Sequence, residues 1–319
     1  MVGGVFPQPV SGGGCVAILS ATVLDGIGNT PMVRLRRMVP PDAATVLAKL
    51  ESANPGGSVK DRTARAMVEE AASFGLLGPE TVLVEPTSGN MGVALALVCA
   101  VKGYKLLVPM PESTPLERRR ILSHYGAELR LTDASRGMEA AIEAAKEMVS
   151  SKPGHVMLDQ FRSPACVRVH RETTAREVLA QTGGTIHAFV AGVGTGATIS
   201  GVGQALKERD PGTLVVALEP ASSPVLSGGQ PEAHGIPGIG ADFVPPLLDW
   251  KVIDEVQAIS DEEAASTMRQ LALQEGLMVG VSSGANVAAA LRVARRLGPG
   301  KVVVTILPDT GERYLGLPV

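Results

Sequence analysis

Residues 52–63 read S-A-N-P-G-G-S-V-K-D-R-T, a polar, glycine-rich loop that runs straight into a helical pattern. Asn54-Pro55-Gly56-Gly57 is a turn signal, Ser58 suits a helix N-cap, and A-R-A-M-V-E-E-A-A-S-F over 64–74 has helical periodicity. Lys60 is therefore expected in the first turn of a helix, at the positive end of its dipole. An exposed cation there costs about 0.3–1 kcal/mol. The same field lowers the amine's pKa and favours the neutral form that a nucleophile, a Schiff-base lysine or a base requires. The competing reading is a solvated lysine offset by Asp61, and this stretch by itself does not separate the two.

Working outward, strand-like runs flank the loop: T-V-L-A-K-L at 45–50 before it and T-V-L-V-E at 81–85 after its helix. The second run ends in Pro86-Thr87-Ser88-Gly89-Asn90 and then the helical M-G-V-A-L-A-L-V-C-A-V-K-G. This strand, polar turn, helix unit recurs. Y-K-L-L-V-P at 104–109 precedes a helix over 116–125, E-L-R-L-T at 128–132 one over 137–150, and I-H-A-F-V-A at 186–191 a glycine-rich turn and helix. L-V-V-A-L-E at 214–219, helices over 261–275 and 282–297, and V-V-V-T-I-L at 302–307 complete the series. Such alternation predicts an α/β protein with mainly parallel sheets covered on both faces and ligands at the carboxyl ends of strands. A chain of this size divides naturally into two three-layer α/β/α domains with a cleft between them.

The 319 residues are 45% hydrophobic and 19% charged, the balance of a globular protein with a sizeable core. A net charge of −3 without a basic stripe, and only 3% aromatic residues, argue against nucleic acid or an anionic membrane as partner. Cys15, Cys99 and Cys166 are odd in number and widely spaced, which fits neither a disulfide framework nor a zinc site, so no metal is expected. The first 24 residues carry no lysine or arginine, and residues 1–21 read as a flexible glycine-rich leader. A cytoplasmic location is the default expectation.

Gly192-Val-Gly-Thr-Gly-Ala-Thr198 follows a strand and opens a helix, so its N–H groups and the helix dipole form an anion cradle suited to phosphate. It also reads as G-x-G-x-x-A, with Glu219 ending the next strand, the arrangement of an NAD site. Thr195 and Thr198 favour a single phosphate instead, because each brings a hydroxyl donor. Thr87-Ser88-Gly89-Asn90 is a second strand-to-helix turn, suited to a carboxylate or to an ordinary N-cap. Two anion cradles and an activatable lysine together match an amino-acid carboxylate, a cofactor phosphate and an imine.

These stretches, with G-N-T-P-M-V-R-L, N-P-G-G-S-V-K-D-R, E-P-T-S-G-N-M-G, Q-F at 160–161, H-G-I-P-G-I-G-A-D-F-V-P, V-S-S-G-A and G-E-R-Y-L, run in one order over about residues 24–315. In this the chain resembles the pyridoxal-phosphate-dependent cysteine synthases, the O-acetylserine sulfhydrylase group with the tryptophan-synthase-β-like fold (fold type II). The resemblance implies that Lys60 carries pyridoxal 5'-phosphate, that Gly194, Thr195, Gly196, Ala197 and Thr198 bind its phosphate, that Asn90 bonds the ring hydroxyl, and that Ser282 meets the pyridine nitrogen. Thr87, Ser88, Gly89, Met91 and Gln160 then hold the substrate, and Gly238 lines the cleft mouth. A neutral serine at the ring nitrogen leaves it unprotonated, which favours β-elimination; Ser283 is available as the helix cap in its place.

The same resemblance implies a smaller N-terminal domain, 54–164, with a mobile substrate-binding part, and a larger one from 22–53 plus 165–319. It also implies a homodimer, serine acetyltransferase as a partner, and synthesis of cysteine from O-acetyl-L-serine and sulfide through an aminoacrylate. Met91 stands where threonine is usual, as in the cyanoalanine-synthase branch, and Ala197 replaces a phosphate-loop glycine, which is tolerated unless φ there is positive. Cyanoalanine synthase, O-phosphoserine sulfhydrylase and cystathionine β-synthase activities stay open as alternatives. A catalytically silent binding homologue and the NAD-dependent oxidoreductase are the readings from other classes.

Overall fold

A computed structural model describes residues 20–316; Cys15 and nearly all of the expected leader lie outside them. The strands are β1 (Met32–Arg34), β2 (Thr45–Leu50), β3 (Val82–Val84), β4 (Lys105–Pro111), β5 (Glu128–Thr132), β6 (His155–Met157), β7 (Ala188–Gly192), β8 (Leu214–Pro220), β9 (Glu255–Ile259) and β10 (Val302–Leu307). The helices are α1 (Lys60–Ser73), α2 (Asn90–Lys102), α3 (Leu116–His124), α4 (Gly137–Ser151), α5 (Ala165–Val169), α6 (Ala175–Gln181), α7 (Ala197–Arg209), α8 (Asp261–Gln270) and α9 (Val281–Leu297). Wide π-helical turns occupy His170–Thr174, joining α5 to α6, and Leu271–Glu275, at the end of α8.

Two sheets result, in the orders β1-β2-β10-β7-β8-β9 and β5-β4-β3-β6. Only β1 with β2 is antiparallel; elsewhere the helical crossovers return the chain to the same end, as in β2 against β10, in register from Thr45↔Val302 to Leu50↔Leu307. The period of two then gives each face its own core. Ala188 and Val190 of β7 pack with α9 residues such as Ala285 and Ala289, whereas Phe189 and Ala191 pack with Ile199, Val202 and Leu206 of α7. In the smaller sheet Leu83 faces α1 and α2 while Val84 faces Ala145 of α4. With both faces covered, β8 is buried along almost its whole length, which is why L-V-V-A-L-E shows no polar alternation.

The structure adds β6, β9 and the α5–α6 segment to the elements expected from sequence. Both added strands are sheet edges, and their partial exposure explains why H-V-M and E-V-Q-A-I carry no apolar run. The expected 81–85 strand shortens to β3, and helix ends shift by a residue or two, within the usual fraying.

Candidate active site

Lys60 is the first residue of α1. Ser58 acts one position earlier than a side-chain N-cap: its Oγ accepts the Lys60 N–H at 3.3 Å, while Val59 occupies the cap and donates to Pro308 O at 2.8 Å. Gly56 is required by contact, because a Cβ there would lie 2.5 Å from Asp61 Oδ1. The Asp61 carboxylate is buried and turned back to accept the Gly56 N–H at 2.5 Å. It therefore does not offset Lys60, which forms no ion pair among the described residues. Burial pushes the Lys60 amine below its ordinary pKa. The neighbouring Cys166 thiol cannot reverse this as a thiolate, since burial pushes it up to about 12.

The turn after β3 brings Thr87 and Ser88 to the N-terminus of α2. Gly89 caps that helix without a side-chain bond and donates its own N–H to Thr87 Oγ1 at 3.2 Å. First-turn N–H groups are thereby left for an anion. Arg118 of α3 bonds Ser88 O at 3.2 Å and lies 5.5 Å from the centre of the Tyr314 ring. Asn90 is held at both ends of its amide: Nδ2 donates to Asp309 Oδ2 at 2.6 Å, and Oδ1 accepts from Arg313. Arg313 also donates to Gly56 O, and the Tyr314 hydroxyl to Asp309 Oδ2, so the 311–314 turn ties the Lys60 loop to the Asn90 turn. A ring oxygen must share or displace one of Asn90's partners. Met91 is 2% exposed and packs in the core around α2.

Beyond β7 the chain turns through Gly194 and Gly196 into α7. A Cβ on Gly194 would lie 2.3 Å from Gly238 O, and Gly196 has φ +80. Gly238 thus adjoins the anion cradle itself, and Gly240 N–H bonds Val193 O at 2.9 Å. Ala197 is helical and buried, outside the positive-φ set, so alanine is accommodated there. Its N–H reaches Thr195 Oγ1 at 3.4 Å, and Thr198 Oγ1 lies 3.2 Å from His170 Nε2. Glu219 is unavailable as a ribose ligand, because its buried carboxylate accepts from Leu226 N–H at 2.6 Å and from the Ser227 hydroxyl.

Ser282 is buried at the start of α9. Ser283 does not supply the cap as expected: Gly280 caps α9 without a side-chain bond, and Ser283 Oγ has no partner among the described residues. Gln160 is set by Glu85, whose Oε1 accepts the Gln160 N–H and whose Oε2 accepts the Asp159 N–H, each at 3.0 Å. That role was not anticipated, although Glu85 heads the E-P-T-S-G-N motif.

Burial raises the Glu85 carboxyl to about 7 against the opposing pull of these N–H groups. A raised acid contributes stability in full below its unfolded value and loses it as pH rises through the folded one. Glu85→Gln, which cannot ionise, is expected to shift the stability gap to wild type by about 3 kcal/mol in its own favour between pH 4.5 and 7. Urea unfolding at the two pH values checks this, and a constant gap counts against it.

The family described as "pyridoxal-phosphate dependent enzyme" matches residues 23–309. The chain is 50% identical over 294 residues to a cysteine synthase of Staphylococcus aureus, covering 92% of this chain and 94% of that one. Among solved structures, the cysteine synthase of Entamoeba histolytica superposes with TM-score 0.92 at 36% identity, covering 97% of this chain and 93% of the other. An O-acetylserine-dependent cystathionine β-synthase from Helicobacter pylori gives 0.89 at 39%, covering 95% and 99%. The chain therefore belongs to the pyridoxal-phosphate-dependent enzymes, within their cysteine synthase family.

Proposed function

We propose that this chain makes L-cysteine from O-acetyl-L-serine and sulfide by β-replacement. The observation that carries the reading is the desolvated, unpaired Lys60, fastened through the 308–314 segment to the Asn90 turn. Pyridoxal phosphate fits this arrangement, since the α7 N-terminus has no side-chain cap and no acidic residue in its first turn, and presents N–H groups and threonine hydroxyls to an anion. When bound, the cofactor supplies an electron sink for the substrate's Cα.

In this reading Lys60 holds the cofactor, and its Nζ, whose pKa burial lowers, takes the α-proton. Gly194 to Thr198 receive the phosphate, Asn90 the ring hydroxyl and Ser282 the ring nitrogen. The α2 N-terminus at Thr87, Ser88 and Gly89, with Gln160, receives the substrate carboxylate, and Gly238 borders the cleft. The cyanoalanine-synthase alternative rests on Met91, which is buried next to Asn90 at the start of α2.

The reading extends to a smaller, mobile substrate-binding domain over 54–164 against a larger one from 22–53 and 165–319, supported by the separate sheet that β3 to β6 form. A homodimer and serine acetyltransferase as partner follow from the family resemblance, and a cytoplasmic location is kept as the default reading. No helix among the described residues is long and apolar enough to cross a membrane. The test is kcat/KM of the cofactor-loaded protein for O-acetylserine with sulfide, O-phosphoserine with sulfide, serine with homocysteine, and cysteine with cyanide. The first pair is expected to be highest; a higher value for another pair reassigns the substrate.

A further inference from the structure

Asp309 has no place in the reaction as described, yet its carboxylate is 1% exposed and touches both helix starts that the reading above sets at the cofactor ring. At the start of α2, Asn90 Nδ2 donates to its Oδ2 at 2.6 Å. At the start of α9, the capping Gly280 admits the group, because a Cβ there would lie 2.2 Å from Asp309 Oδ1 and 2.7 Å from the Tyr314 ring. The main chain fixes the residue: Gly280 N–H donates to Asp309 O at 3.2 Å, and Asp309 forms an antiparallel bridge with Ser58. The Tyr314 hydroxyl donates to the same Oδ2, and its buried ring lies 5.5 Å from the Arg118 guanidinium of α3.

An asparagine amide fills the same space in two orientations, and its hydrogen-bond partners choose between them. Arg313 can only donate, so the atom that faces its Nη1 is Oδ1. Tyr314 gives its proton to Asp309 Oδ2, which keeps that oxygen an acceptor, so the atom that faces it is Nδ2. The two demands agree. A flipped amide would set Nδ2 against the guanidinium and Oδ1 against the carboxylate, losing both bonds. In the observed orientation one Nδ2 proton goes to Asp309 and the second is left over. Arg313 is half-buried on a long side chain, where water can replace it, whereas Asp309 is buried and fixed through its main chain, so Asp309 is the firmer of the two partners. Burial raises the Asp309 carboxyl, and the Tyr314 and Asn90 hydrogen bonds oppose it, followed by the Arg313 and Arg118 cations.

We propose that Asp309, held by Tyr314, is a positioning residue for the cofactor ring: it locks the Asn90 amide in the orientation that keeps one Nδ2 proton for the ring oxygen. This rests on the reading of Asn90 as the partner of the ring hydroxyl. A bond from that proton to an ionised ring oxygen is charge-assisted, and such bonds are the strong ones.

The experiment measures the affinity of the full chain, freed of cofactor, for pyridoxal phosphate and for 3-deoxypyridoxal phosphate, which lacks the ring hydroxyl. Asn90→Ala is expected to weaken pyridoxal phosphate about ten-fold and to leave the deoxy compound unchanged. Asp309→Leu should weaken pyridoxal phosphate about five-fold with the same selectivity, and adding it to Asn90→Ala should change the affinity by less than about two-fold, since the two act as one unit. Asp309→Asn, whose amide oxygen still accepts from Nδ2, should recover most of the loss. Tyr314→Phe, nearly isosteric, should weaken pyridoxal phosphate selectively and serves if Asp309→Leu does not fold. Additive losses, equal losses for the two compounds, or no recovery in Asp309→Asn show an aspartate that acts through structure or charge and overturn the proposal. If Asn90→Ala is selective while Asp309→Leu and Tyr314→Phe leave both affinities unchanged, the ring-hydroxyl reading stands and the proposal fails. If Asn90→Ala affects the two compounds alike, that reading fails and the proposal with it.

Discussion

Lys60→Ala is expected to reduce cysteine formation by about 10³-fold or more, because in the proposed reaction one side chain both holds the cofactor and moves the α-proton, and a positioned base alone contributes about 10²–10⁴-fold. The visible absorption of the covalently held cofactor should vanish with it. Stability should hold or rise. The variant loses a desolvated amine that faces a helix N-terminus, an arrangement that costs about 0.3–1 kcal/mol even when exposed. Paired measurements of turnover and urea midpoint check this. Near wild-type turnover would remove Lys60 from the chemistry, and loss of activity together with loss of folding would leave it a structural residue.

Two residues along the same helix, Arg62→Ala is expected to have the largest effect on stability, a loss of about 3–5 kcal/mol. Arg62 is among the largest fully buried side chains. Its Nε and Nη2 reach Glu51 at 2.7 and 2.9 Å, and its Nη1 and Nη2 reach Glu177 at 2.6 and 2.8 Å. Truncation leaves Glu51 buried without its cation, held by the neutral donors Thr30 Oγ1 at 2.7 Å and Asn54 Nδ2 at 2.9 Å, while Glu177 keeps Lys49 at 2.8 Å. The penalty exceeds that of a surface pair because water cannot replace the lost donors. Burial would raise the Glu177 carboxyl, but the Arg62 and Lys49 hydrogen bonds outweigh it and hold the group at about 2. An acid so depressed adds stability above its unfolded value and loses it as pH falls through the folded one. The penalty of Arg62→Ala should therefore shrink between about pH 4.5 and pH 2. Denaturant unfolding at pH 7 and near pH 3 reads both effects. A loss under about 1 kcal/mol at pH 7 would mean that the cluster relaxes or hydrates.

The order of strands and helices, the parallel sheets, the Lys60 turn and the glycine turn at 194–196 were legible from sequence because each is a local matter. Buried parallel strands are continuous apolar runs, helix starts carry small polar residues, and Gly194 and Gly196 mark a turn where a Cβ does not fit. Edge strands β6 and β9 were not legible, since their partial exposure removes that run. Which helix N-termini meet depended on distant pairings, such as Ser58 against Asp309 and Gly194 against Gly238. Side-chain direction likewise waited on packing. Met91 adjoins Asn90 in sequence, yet the turn of α2 sends it into the core while Asn90 is claimed by Asp309 and Arg313 from the far end of the chain. Only the tertiary structure could join His170 to Thr198, because no local period relates residues 28 apart.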